Sequence, residues 1–197
     1  MKISRFILTL LVLSILSCST AYKGPIYEGS PPIGNWYGKP GIKYGEDKHP
    51  GIDYSIPTGT PIIAISDGVV VSITRPFPSE PYGGGFFVGV LHENYFASLY
   101  GHLTKHLVQK GRPIKRGELI GYSGASNNGY KHLHFGLVKI GTTEAHLLSN
   151  THNPDNFWLD GKPQCFDPQV DYSKYSAKEI TLPVACGEYQ RKLLTNK

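Results

Sequence analysis

The run "HLHFGL", residues 132–137, alternates strictly between apolar and other side chains. On an extended chain Leu133, Phe135 and Leu137 share one face, and His132, His134 and Gly136 share the other. A period of two predicts a strand with one face on a core. Successive residues rise about 3.3 Å, so the two imidazoles stand about 6.6 Å apart. That spacing lets both converge on one small site. They can be two ligands of one ion, or one ligand and one catalytic group. The plainer alternative is a polar strip facing solvent. Gly136 leaves the same face open where another chain approaches.

Working outward, the rest of the chain also reads as strands and turns. "TPIIAI", then "DG", then "VVVSI" gives a hairpin-like pattern over residues 60–73. "GFFVGVLH" and "YFASLYGH" predict two strands separated by Glu93–Asn94. "LTKHLVQKG" reads as a short helical turn closed by Gly111, and "RGELIGYSG" as a strand between glycines. Glycine (23) and proline (15) are abundant and charged residues only 18%, which favours short strands over long helices. No long amphipathic helix and no fixed repeat stand out. The expected fold class is all-β: an antiparallel, sandwich-like sheet with an open groove and few short helices.

The ends differ from the middle. Lys2 and Arg5 precede the eleven-residue apolar run "FILTLLVLSIL", which is followed by Ser17 and Cys18. Residues 1–18 therefore read as a secretion signal, too short to span a bilayer as a stable helix. Cys18 after a small residue resembles a bacterial lipobox, which implies lipidation, a membrane anchor and outer-membrane sorting in a two-membrane bacterium. Plain cleavage after Ala21 is the alternative. Residues 19–33, rich in proline, read as a tether, or alternatively as an arm packed on the domain. The domain proper is expected over 34–160 and a C-terminal extension over 161–197, ending in a basic tail. With Cys18 set aside, Cys165 and Cys186 form an even pair suited to a disulfide in an oxidising compartment. The formal charge of +5, two of it on Lys2 and Arg5, is mild. No basic cluster interleaves with aromatics, so a nucleic-acid partner is excluded, and a monomer is expected.

Two further motifs accompany the histidine strand. "HPGIDYS", residues 49–55, spaces His49 and Asp53 four apart. On a straight strand they would lie about 13 Å apart. If both bind one ion, Pro50–Gly51 must turn the chain and bring His49 back over Asp53. Together with His134 they make two imidazoles and a carboxylate, a ligand set for catalytic zinc with a fourth position open; non-haem iron uses a related set. "YGHL", residues 100–103, places His102 at a strand end, a common position for catalytic groups. His92, His106, His146 and His152 are assigned no chemistry.

The segments "HPGIDYSIPTGTPIIAISDGVVV", "YGHLTKHLVQKGRPIKRGELIGYSG" and "HLHFGL", in this order, resemble the lysostaphin/LytM-type zinc metallopeptidases over roughly residues 34–160. The resemblance implies one zinc ion held by His49, Asp53 and His134, with His102 and His132 catalytic. It implies a peptidase acting on peptide bonds of peptidoglycan cross-links or bridges, in the cell envelope. The rival reading is a non-catalytic LytM-like regulator that activates cell-wall amidases; a wall-binding module whose groove is covered by residues 19–33 is a third. Three departures stand out. Lys131 takes the place of the family's proline, Gly136 that of its glutamate, and "NWYGKPG" (35–41) that of its F-G-x-R entry.

Overall fold

The computed structural model describes residues 22–41, 48–75, 79–139 and 150–195. Its strands are β1 (Ile33–Asn35), β2 (Ile52–Tyr54), β3 (Pro61–Ile63), β4 (Gly68–Thr74), β5 (Phe86–Leu91), β6 (Phe96–His106), β7 (Pro113–Ile114), β8 (Leu119–Ala125), β9 (Lys131–Lys139) and β10 (Thr151–His152). They join one sheet in which every strand pairing is antiparallel. One α-helix, α1 (Gly187–Thr195), follows near the C-terminus.

The long strand β6 determines where the site lies. Its first half pairs with β9, from Phe96↔Lys139 to Gly101↔His134. Its second half pairs with β8, from Leu103↔Ser123 to His106↔Gly121. The change of partner falls at His102, whose φ of 59° is the left-handed conformation. Such a φ is uncommon outside glycine, and histidine is among the residues that adopt it most readily. Gly124 makes the junction close: a Cβ there would lie 2.5 Å from the His102 carbonyl oxygen. Beyond the junction β8 pairs with β9 at Gly124↔His132. His102 and His132 are thereby brought to one seam of the sheet.

The core face is the alternation read outward from "HLHFGL". Leu133, Phe135 and Leu137 are fully buried with Ile62, Val88, Val90, Tyr100, Leu103 and Ile120. Each such side chain contributes about 1.5–3 kcal/mol by leaving water. Ile180, Leu182 and Val184, from the segment expected as an extension, are equally buried in this core. That segment is tied on by backbone bonds Ile63 N–Pro183 O and Thr181 N–Ile65 O, 2.9 and 3.2 Å. Cys165 and Cys186 are joined as a disulfide with Cα atoms 5.8 Å apart.

Several local expectations are corrected. β3 and β4 do not form a hairpin: β3 pairs with β8, and β4 with β5 and β7. Asp67 ends a bend instead, its carboxylate accepting from Arg116 N at 2.9 Å, and Gly68 opens the next strand. "LTKH" is not a helical turn but the second half of β6, because pairing with β8 satisfies its backbone. The basic tail is helical up to Thr195, and Arg191 pairs with both Glu188 and Glu28 at 2.8 Å. Residues 25–28 lie against α1: the Gln190 side chain accepts from Tyr27 N at 2.8 Å and donates to Pro25 O at 3.0 Å. Cys18 and His146 lie outside the described residues. No helix of the described residues is long and apolar enough to cross a membrane.

Candidate metal centre

One row across four strands builds the centre. Asn35 on β1 stands opposite Asp53 on β2. Asp53 stands opposite His134 on β9, and His134 opposite Gly101 on β6. Side chains directly opposite in antiparallel strands meet on the same face. His49 enters from the segment before β2. Pro50–Gly51 bends the chain so that His49 Nε2 comes within 3.1 Å of Asp53 Oδ1. Gly51 is required there, because a Cβ would lie 2.4 Å from the Phe135 carbonyl oxygen and 3.0 Å from His134 Cε1.

The three side chains converge. His134 Nδ1 lies 2.9 Å from Asp53 Oδ1 and 3.2 Å from His49 Nε2. One ligand atom from each residue falls within 4.8 Å of the others, and all three residues are buried. This donor set fits a divalent cation: two imidazole nitrogens and one carboxylate oxygen aimed at one point, with a fourth position free for water or substrate. His49 Nδ1 bonds the Trp36 carbonyl at 3.1 Å, which turns Nε2 to the centre. Asn35 Nδ2 donates to Asp53 Oδ2 at 2.8 Å and leaves Oδ1 to the histidines.

His132 and His102 stand beside this group. Their ring centroids are 4.4 Å apart, and His132 Nε2 is 3.8 Å from Asp53 Oδ1. His132 Nδ1 donates to the Tyr130 carbonyl and His102 Nδ1 to the Gly84 carbonyl, each at 2.9 Å. These bonds fix the tautomer and leave each Nε2 as an acceptor. Tyr130 stacks on His132 at 4.5 Å, and Phe87 packs edge-on against His102 at 4.9 Å.

Burial sets the charge states. It alone would raise the Asp53 carboxyl, but hydrogen bonds from His134 and His49 outweigh it and hold that group well below the usual carboxylate range. Burial pushes His102 down to about 3, with the neighbouring His132 and His134 adding to the effect. Burial also lowers His132. At neutral pH both flanking imidazoles are uncharged and able to take a proton.

The histidine-bearing face is less open than expected for a groove. His132 and His134 are only 4% and 7% exposed. Two recesses flank them along β9. One, of about 340 Å³, is bordered by His132, Asp53, Asn35, Lys39 and Tyr130. The other, of about 110 Å³ and mostly apolar, is bordered by His134, Gly136, Pro50 and Leu99.

Asn35, Lys39, Tyr130 and Phe87 were not singled out from the sequence. Two signals lie near them: the departure "NWYGKPG", which holds Asn35 and Lys39, and the departure at Lys131, next to Tyr130. Among the other histidines, His92 is buried, bonded to the Asp67 carbonyl at 2.6 Å and to Ser98 Oγ at 2.9 Å. His106 bonds the Val108 carbonyl at 3.1 Å. Neither belongs to a metal-ligand group among the described residues.

The comparisons with known proteins agree with this geometry. The chain is 43% identical over 96 residues to the peptidoglycan DD-endopeptidase ShyA of Vibrio cholerae, covering 47% of the chain and 21% of ShyA. It is 36% identical over 106 residues to the glycyl-glycine endopeptidase ALE-1 of Staphylococcus capitis, covering 52% of the chain and 28% of ALE-1. The chain thus spans well under a third of either relative. Among solved structures, the catalytic domain of lysostaphin from Staphylococcus simulans superposes with a TM-score of 0.55 at 29% identity, over 64% of this chain and 91% of that one. The pattern of Peptidase family M23 matches residues 47–146, just over half of the chain and a span that holds all five clustered side chains. This protein belongs to peptidase family M23.

Proposed function

We propose that the chain is a zinc-dependent endopeptidase that hydrolyses peptide bonds in peptidoglycan cross-links or bridges. The observation that carries this reading is the convergence of His49, Asp53 and His134 within 4.8 Å, beside two further imidazoles. His49 Nε2, Asp53 Oδ1 and His134 Nδ1 would hold the ion. When bound, zinc supplies Lewis-acid activation of water and of the scissile carbonyl.

The chain's own residues do the rest. His132 Nε2 or His102 Nε2 accepts the proton of the attacking water and returns it to the leaving amine. Once protonated at Nε2, the other imidazole of the pair can donate to the oxygen that gains charge. No Glu follows a metal-binding His in an H-E-x-x-H arrangement, so the base is a histidine. The backbone carbonyls of Tyr130 and Gly84 hold both rings with Nε2 as the atom that takes up a proton. The sheet seam at His102 supplies rigidity, so the two Nε2 atoms keep their places through the cycle.

The relatives' printed names, a peptidoglycan DD-endopeptidase and a glycyl-glycine endopeptidase, support the substrate class. The signal-like residues 1–18 and Cys18 support work in the cell envelope, with the domain tethered by lipid.

The test is digestion of purified sacculi by the zinc-loaded protein, with the released muropeptides identified by mass. Cleaved cross-link or bridge peptides are expected, lost in His132→Ala while its zinc content stays at one per chain. Full cleavage by His132→Ala would refute the assignment of His132. Wild-type protein that holds zinc, cleaves nothing, and instead stimulates an amidase would favour the regulator reading.

A further inference from the structure

Among the described residues, the recess beside His132 contains one fixed positive charge: of the described side chains that border it, Lys39 alone is a lysine or arginine. Its ammonium donates to Asn35 Oδ1 at 2.6 Å and lies 5.1 Å from the centre of the Trp36 ring. Both partners are neutral. Arg112 is matched to Glu118, Lys115 to Asp67, and Arg191 to Glu28 and Glu188, whereas the buried Arg116 is held by the Ile65 and Glu179 carbonyls and Ser66 Oγ. Lys39 has no carboxylate partner among the described residues, although it is half-buried. A partly desolvated ammonium held by neutral groups gains most from an anion that arrives with the ligand.

Its backbone is fixed against the metal centre. Gly38 N donates to the His49 carbonyl at 2.8 Å, and His49 N donates to the Lys39 carbonyl at 2.9 Å. The Lys39 Cα therefore keeps its place relative to the His49 imidazole. The side chain is then oriented by Asn35, whose amide spans from Lys39 Nζ to Asp53 Oδ2. The charge stands one amide group away from the carboxylate that faces the centre.

The opposite recess, past His134, has a different character. It is small and mainly apolar, and Gly136 opens it: a Cβ there would meet nothing closer than 3.7 Å. A peptide lying across the centre would meet a small apolar recess on one side of the scissile bond and a cation on the other.

We propose that Lys39 is a specificity-determining residue that binds a free carboxylate on the amine side of the scissile amide. This deepens the endopeptidase reading and rests on it. The chemical class is an amide with a small apolar side chain on its acyl side and a carboxylate on the carbon that bears its nitrogen. A cross-link from alanine to a diamino dicarboxylic acid has that layout. A run of glycines has neither group, and an amidated cross-link lacks the charge.

The test uses two alanyl–diaminopimelyl peptides that differ only in carboxylate against carboxamide next to the scissile nitrogen. With the zinc-loaded protein, kcat/KM is expected to favour the carboxylate by about tenfold, the scale of one charge-assisted contact. Lys39→Met should bring that ratio close to one by lowering the carboxylate peptide, and Lys39→Arg should keep most of it. A wild-type ratio near one would overturn the proposal. So would an equal loss on both peptides in Lys39→Met with weakened zinc binding, since Lys39 would then act through Asn35 and Asp53. Equilibrium binding to zinc-loaded His132→Ala, with and without Lys39→Met, separates this from the endopeptidase reading. If wild type cleaves neither peptide, that reading fails. Tighter binding of the carboxylate peptide that disappears with Lys39→Met would still support the role of Lys39, and equal binding would refute it.

Discussion

Gly51 offers the sharpest mutational probe of how the fold builds the centre. It lies in the bend that returns His49 over Asp53, pressed against β9. In Gly51→Ala the new methyl would sit 2.4 Å from the Phe135 carbonyl oxygen and 3.0 Å from His134 Cε1. The carbonyl belongs to a paired strand and has no flexible end to swing away. To reach ordinary contact the two strands must part by about 1 Å, a strain of about 2 kcal/mol. For a chain of this size that lowers Tm by roughly 4–8 °C. The effect on metal is larger in proportion. A metal site tolerates errors of about 0.2 Å in ligand distance. Here His49 and Asp53 would move as a unit away from His134. Zinc affinity, measured by competition with a chromogenic chelator, should fall by about 10–100-fold, the range seen when ligand orientation is lost. Gly136→Ala is the control on the same strand face. Its methyl would meet His134 Nε2, Leu99 Cβ and Pro50 O at 3.7–3.8 Å, ordinary contact, so zinc affinity and Tm should stay close to wild type. If Gly51→Ala binds zinc within twofold of wild type, the bend does not set the ligand geometry and the reasoning fails.

Two further predictions concern stability. Burial lowers the pKa of His92 from 6.5, so as pH falls the unfolded chain takes up that proton before the folded one. Its contribution is fully present above about pH 6.5 and is lost as the pH drops toward the lower folded value. The groups that face the imidazole are the Asp67 carbonyl, Ser98 Oγ and the Phe96 ring, with the charges of Arg116 and Asp67 acting on it. His92→Gln should unfold with a smaller loss of stability between pH 7.5 and 5.5 in urea titrations; an unchanged loss would assign the acid sensitivity elsewhere. Cys165 and Cys186 are 21 residues apart, so opening their link should cost about 3 kcal/mol through the freed chain entropy. Thermal unfolding of Cys165→Ser, or of wild type with reductant, should show that loss, and an unchanged Tm would refute it.

The alternation in "HLHFGL" was enough to place β9 and its apolar core face, but not to show that the histidine face is buried as well. The likeness to a known family was also legible, since three separated motifs carry it. Strand partners were not. Nothing local in "TPIIAISDGVVV" says that β3 turns to β8 while β4 turns to β5, because pairing is decided by distant segments. The left-handed His102 was likewise hidden: its conformation follows from the change of partner along β6. The residues that hold the centre's outer contacts were hidden for the same reason. Asn35, Trp36 and Lys39 touch Asp53 and His49 only because β1 lies beside β2. The C-terminal segment looked separate by composition, yet Ile180, Leu182 and Val184 close the core. Three scattered apolar residues give too weak a pattern to reveal that.

The central claim is that His49, Asp53 and His134 hold one metal ion with His102 and His132 beside it. Diffraction from crystals of the zinc-loaded protein, recorded above and below the zinc absorption edge, tests this most directly. The account requires a single anomalous peak bonded to His49 Nε2, Asp53 Oδ1 and His134 Nδ1, with no direct bond to His102 or His132. A peak ligated by other side chains, or none in protein shown to carry zinc in solution, would contradict it.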